Sequence, residues 1–213
     1  MKNTIVLDML RKGQVDEVIR MLEDEIYQQS LDVKPGAKKR YAAMKKYFAY
    51  HQAVRECLQK PCVIEFESKT YTCFTNSWSL VLTTEDTGEI ELFDEANGKY
   101  PDVARLFRFD GIKKKIDFNK VIAEAKSKGY RLTKKEVGPG FKYLMHYDGG
   151  YYKIGLLDAT YGIINDGEIV MTYHPDGEKQ PLTFQNDIGF GIVMPVFMHD
   201  GEPSPEHIII EVR

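Results

Sequence analysis

The residues of this chain best placed to do chemistry are two histidine–aspartate pairs, His146-x-Asp148 and His174-x-Asp176, and the cysteines Cys57, Cys62 and Cys73 with His51 close by in sequence. A His–Asp pair can orient a general base or ligate a metal, and a Cys/His set can hold zinc. The spacings argue against both. Each pair ends a β-prone run and leads into an Asp-Gly turn, where Asp is favoured for its backbone geometry. The cysteines contain no CxxC pair. Ser77 has no nucleophile elbow around it, and the sequence has neither a Walker loop nor a GxGxxG loop. The expectation is a protein with no catalytic activity, no metal and no cofactor. An odd number of cysteines without framework spacing predicts reduced thiols and a cytoplasmic location.

The elements that carry these turns belong to an ordinary globular chain. Its 213 residues, 43% hydrophobic and 29% charged, suit one large or two small domains with a real core. No apolar run approaches the roughly 20 residues of a membrane span. The start MKNTIVLDMLRKG is too charged for a secretory signal. Charge is distributed in blocks. Residues 34–60 carry eight Lys/Arg and one acid, residues 61–110 four Lys/Arg and ten acids, and residues 111–135 nine Lys/Arg and two acids. Two basic blocks inside a chain of net charge −3 suggest a localised surface for phosphates.

Periodicity places the elements. Asn3 caps a helix through Leu10, and Gly13 ends it. Val15, Val18, Ile19, Leu22 and Ile26 mark a second helix, so residues 1–33 read as a helical hairpin. Pro35-Gly36 closes a linker. A third helix is predicted over 37–58, with Tyr41, Met44, Tyr47, Phe48, Val54 and Leu58 on one side. Lys38, Lys39, Lys45 and Lys46 fall on the other, interleaved with Ala42, Ala43, Ala49 and Ala53. The period then changes to two, with strands at 62–66, 71–75 and 79–84 and a further one at 89–93. Residues 113–118 read as a strand, followed by a helix that Asn119 caps and strands over 131–137 and 141–147. After Asp148-Gly-Gly come Ile154, a helix with Leu156, Leu157, Tyr161 and Ile164 on one face, and strands over 169–173, 182–185 and 191–197. Ile208 to Val212 is strongly β-prone, fit for an edge strand or for pairing with another chain.

Residues 113–147 and 152–197 thus repeat one layout: strand, helix, then two or three strands. The predicted fold class is α+β, with a duplicated βαβββ domain over 111–213. It follows the 1–33 hairpin and a partial α+β subdomain over 37–110.

Three segments on this background resemble the bacterial DNA polymerase sliding clamp, the beta subunit family, over roughly residues 37–198. Phe74-Thr-Asn-Ser-Trp-Ser-Leu80 sits where that family has a Thr-Asp-Gly-x-Arg-Leu-like turn. Tyr100-Pro-Asp-Val-Ala-Arg-Leu-Phe107 is similar to its Phe-Pro-Asp-Tyr-x-x-Val/Leu segment, and Gly191-Ile-Val-Met-Pro-Val196 to its last strand with a Met-Pro pair. The resemblance implies a DNA-clamp-like fold and a hydrophobic groove for short peptides of polymerases and other clamp-binding proteins. Carried over, Thr75, Ser77 and Leu80 form one wall, Pro101 and Leu106 the floor, and Ile192 and Met194 the other wall. Aliphatic and Met side chains there would accept Leu and Phe anchors. The same resemblance implies a processivity role in replication or repair, a homo-oligomer, and nonspecific duplex DNA contact through Lys38, Lys39, Lys45, Lys46, Lys120 and Lys126. The different-class reading is a self-associating structural module with no DNA role, driven by the N-terminal hairpin or by Ile208–Val212.

Overall fold

The computed structural model describes residues 2–50, 55–94, 99–107, 111–166, 168–173, 181–198 and 203–212. The elements are α1 (Lys2–Arg11), α2 (Val15–Ser30), α3 (Ala37–Tyr47), β1 (Cys62–Phe66), β2 (Lys69–Thr75), β3 (Ser79–Thr83), β4 (Ile112–Ile116), α4 (Phe118–Ser127), α5 (Lys134–Val137), β5 (Tyr143–Tyr147), β6 (Gly150–Lys153), α6 (Ile154–Tyr161), β7 (Ile169–Tyr173), β8 (Leu182–Asn186), β9 (Gly189–Val193) and β10 (Ile208–Glu211). This is a mixed α+β architecture. A seven-stranded antiparallel sheet runs β1-β2-β3-β9-β8-β7-β4, and a three-stranded sheet runs β10-β5-β6.

Two of the three two-residue hairpins among the described residues follow from their turn residues. β1 and β2 are joined by Glu67-Ser68, at φ 48° and 63°, and β5 and β6 by Asp148-Gly149, at φ 46° and 77°. Two consecutive left-handed residues give a turn whose twist matches that of the strands. The β3–β9 pair joins strands far apart in sequence, with Leu80 opposite Ile192 and Val81 opposite Gly191. It makes one sheet out of the 37–110 and 111–213 segments.

Alternation separates two buried clusters. Phe74, Val81, Phe184, Met171 and Val193 lie in one cluster with α3, α4 and α6, together with the small sheet. Cys73, Leu82, Leu80 and Ile192 lie in the other with Tyr100, Val103 and Phe107. α6 sits at the centre, in contact with β3 and β9 of the large sheet and β5 and β6 of the small one. Its side chains from Ile154 to Leu157 are buried, as expected of a helix that is apolar all round. Gly155 allows this: a Cβ there would come within 2.5 Å of the Glu136 carbonyl oxygen in α5.

Six local expectations are corrected. The helix expected over 37–58 ends at Tyr47 and tightens into a 3-10 turn, Phe48–Tyr50, which stacks Phe48 on Phe74 with ring centroids 5.8 Å apart. Residues 51–54, with His51, Ala53 and Val54, lie outside the described residues. Residues 89–93 form no strand; Phe93 N–H donates to the carbonyl of Pro61, just before β1. Residues 131–137 form no strand either. Thr133 caps α5 by accepting from Glu136 N–H, and buried Glu136 accepts from the N–H groups of Lys142 and Tyr143. The cap of α4 is Asp117, which accepts from Lys120 N–H, while Asn119 donates to the Tyr161 hydroxyl. The helix expected to reach Ile164 stops at Tyr161, and β9 occupies 189–193 rather than 191–197. Ile208–Glu211 pairs in parallel with β5 of its own chain, which makes it an edge strand.

Candidate functional site

The β2–β3 turn is built from buried polar groups. The Asn76 side-chain oxygen accepts from Trp78 N–H at 2.9 Å and Ser79 N–H at 2.8 Å, and its amide donates to Ser79 Oγ at 3.0 Å. Tyr47, fully buried on α3, places its hydroxyl 2.9 Å from the same Ser79 Oγ, and Thr75 Oγ1 donates to the Ser79 carbonyl. Ser77 takes φ 75° at the tip of the turn and is exposed. β9 is tied to this turn one residue beyond its end, by Met194 N–H donating to the Trp78 carbonyl at 2.9 Å. This hydrogen bond joins the turn to the end of β9.

Of the sequence-derived groove residues, Thr75, Leu80, Ile192 and Met194 lie together beside this turn. Thr75, Leu80 and Ile192 are direct cross-strand neighbours, so they share one face of the sheet. Met194 packs against the same cluster and is half-buried. Leu80 and Ile192 are buried in that cluster with Tyr100, Val103 and Phe107 of the chain's own Tyr100–Phe107 segment. The side chains offered to solvent are therefore Ser77 and Trp78 on the turn, Leu106 on the segment, and parts of Met194 and Pro101. Pro101 lines a cavity of about 510 Å³ with Cys57, Tyr100, Arg55, Lys99 and Arg105. Asp102 forms a 2.8 Å ion pair with Arg105 on its rim.

The six lysines assigned to DNA separate into groups. Lys38 pairs with Asp32 at 3.1 Å and Lys45 with Asp24 at 3.0 Å. Burial pushes the Asp24 carboxyl up, but hydrogen bonds from Lys45 and Tyr41 outweigh it and hold the group below its ordinary value. Lys39 and Lys46 stand exposed and border a cavity of about 290 Å³ between α3 and α6, lined by Ala42, Ala43 and Ala159. Asp158 lies in the same cavity. Burial raises its carboxyl, against a hydrogen bond from the Tyr130 hydroxyl. Lys120 and Lys126 are exposed on α4, with Lys120 3.9 Å from Asp117. α6 brings no cation to this face.

His146 is engaged structurally. Its Nδ1 lies 2.8 Å from the Glu211 carboxylate, and its ring stacks on Tyr151 with centroids 4.5 Å apart, a row across β10, β5 and β6. Asp148 is a turn residue, and His174 and Asp176 lie outside the described residues. Cys57, Cys62 and Cys73 are free thiols, and burial pushes the Cys73 thiol up to about 12. Among the described residues no three His, Cys, Asp or Glu side chains gather as a metal would require, and no helix is long and apolar enough to cross a membrane.

Sequence reasoning missed Arg40. It is buried in α3, 3.2 Å from the Glu85 carboxylate and 3.6 Å from Asp166. It falls on the stripe formed by Ala37, Tyr41, Met44 and Tyr47, and a charge at a core position signals a buried partner.

This architecture is clamp-like. No protein-family model matches the chain, and no curated protein matches it. Among solved structures it is similar to DNA polymerase III subunit beta from Borrelia burgdorferi, determined in complex with a natural product. The two are 12% identical, and the match has a TM-score of 0.50 and covers 75% of this chain and 62% of that one. The chain spans less than two thirds of that neighbour's length, and at this identity the similarity shows the fold alone.

Proposed function

We propose that this chain is a non-catalytic sliding-clamp-like protein that binds partner peptides at the seam between β3 and β9, in replication or repair. The observation that carries the reading is the row Thr75, Leu80, Ile192 with Met194 hydrogen-bonded to the Trp78 turn, set on a clamp-like fold. Buried Leu80 and Ile192 stiffen the floor. Met194, Pro101, Leu106 and Trp78 supply apolar surface that suits Leu and Phe anchors. The partners are polymerases or other proteins presenting such a peptide. The test is fluorescence anisotropy with a labelled extended peptide carrying Leu and Phe anchors. Leu106 is 50% exposed, so Leu106→Asp leaves the fold intact. Binding to the wild type and at least tenfold weakening by Leu106→Asp support the reading. Equal binding by both proteins, or by neither, defeats it.

The proposal extends to nonspecific duplex contact by Lys39 and Lys46, which stand exposed beside small residues on α3. With Lys38 and Lys45 engaged by acids, the contact is confined to a few phosphates and weakens steeply with salt.

A further inference from the structure

We propose that the α1–α2 hairpin is a dimerisation surface and that its occupant is the same hairpin of a second copy of this chain. Val15, Ile19, Leu22 and Ile26 recur at spacings of four, three and four along α2, the spacing of a coiled-coil seam. Together with Ile5 and Leu10 on α1 they are between 42% and 68% exposed. Singly scattered apolar residues need no explanation, but a seam of four on one exposed helical face marks an interaction site.

The rest of the hairpin is already anchored. Val18 is buried, Asp24 receives hydrogen bonds from Tyr41 and Lys45, and the Tyr27 hydroxyl donates to the Asp86 carbonyl. Asp24 lies on the side of α2 away from the seam, so the body holds the hairpin with its apolar stripe outward.

Charge selects the occupant. The seam of α2 is bordered by Asp16 and Glu23, so α2 against α2 of the other copy sets acid against acid. α1 ends in Arg11, and the Lys12 that follows is paired with Asp8 at 2.8 Å. A two-fold arrangement laying each α2 against the partner's α1 matches opposite charges twice. The other β-prone candidate for self-association, β10, is paired with β5 in its own chain.

Light scattering of the full chain at tens of micromolar tests this directly. The expected mass is twice that of the chain. Ile19→Lys with Leu22→Lys should give a monomer with unchanged helix content, because both residues are exposed. Ile26→Ser, a milder change, should weaken the dimer at least tenfold, and Glu23→Arg should weaken it as well. A wild-type monomer at that concentration overturns the proposal, as does a dimer that survives the double lysine variant. A dimer that Glu23→Arg leaves unchanged or tightens overturns the charge-matched pairing.

Discussion

The β3–β9 seam and the α1–α2 hairpin are both rich in large apolar side chains, yet they handle them in opposite ways. At the seam, Leu80, Leu82 and Ile192 are sealed by the chain's own Tyr100–Phe107 segment, and the adjoining turn is locked by the Asn76, Ser79 and Tyr47 hydrogen bonds. On the hairpin the stripe is bare and Val18 is the buried residue of α2. An apolar residue paired across a sheet has satisfied its burial within the fold. One on an uncovered helical stripe has not, and its sequence pattern looks the same.

Mutations should separate the two regions, beginning with the largest effect. Leu82→Ala removes a fully buried side chain and should cost about 2–5 kcal/mol, whereas Leu22→Ala should change the stability of the monomer by about 0.5 kcal/mol or less. Urea unfolding of both at low protein concentration checks this, and equal costs would erase the distinction. Asn76→Ala strips the turn of its acceptor and leaves the Trp78 and Ser79 N–H groups and Ser79 Oγ without that partner. A loss of about 1–3 kcal/mol is expected. If the transition midpoint does not move, the Asn76 hydrogen bonds do not stabilise the turn. Ser77→Gly has the opposite sign. At φ 75° a non-glycine residue is strained, and the clamp-type turn that this segment resembles carries Gly there, so a gain of about 1 kcal/mol is expected.

The strands β1, β2 and β3, the β1–β2 and β5–β6 hairpins and the helical N-terminus were legible in the sequence, because period-two alternation, turn residues and amphipathic spacing are local signals. The convergence of Thr75, Leu80, Ile192 and Met194 was legible only through the resemblance, since no local rule pairs β3 with β9. Residues 131–137 misled because Arg131-Leu-Thr alternates, while the helix signal was the Thr133-x-x-Glu136 cap. Asp117 was passed over as a cap because Asn119 is equally suited by type. Arg40 was hidden among lysines, although its place on the apolar stripe set it apart. Burial of Leu80 and Ile192 depends on the Tyr100–Phe107 segment folding back onto the sheet, which composition cannot reveal.

The chain's single tryptophan offers the most direct test of the peptide-site proposal, because Trp78 stands 57% exposed on the turn that holds Met194. Titration with an unlabelled peptide carrying Leu and Phe anchors should shift Trp78 emission to shorter wavelength and saturate. The Leu106→Asp protein should show no shift over the same range. Wild-type emission that stays constant while the peptide demonstrably binds would place the peptide elsewhere on the molecule and contradict the account.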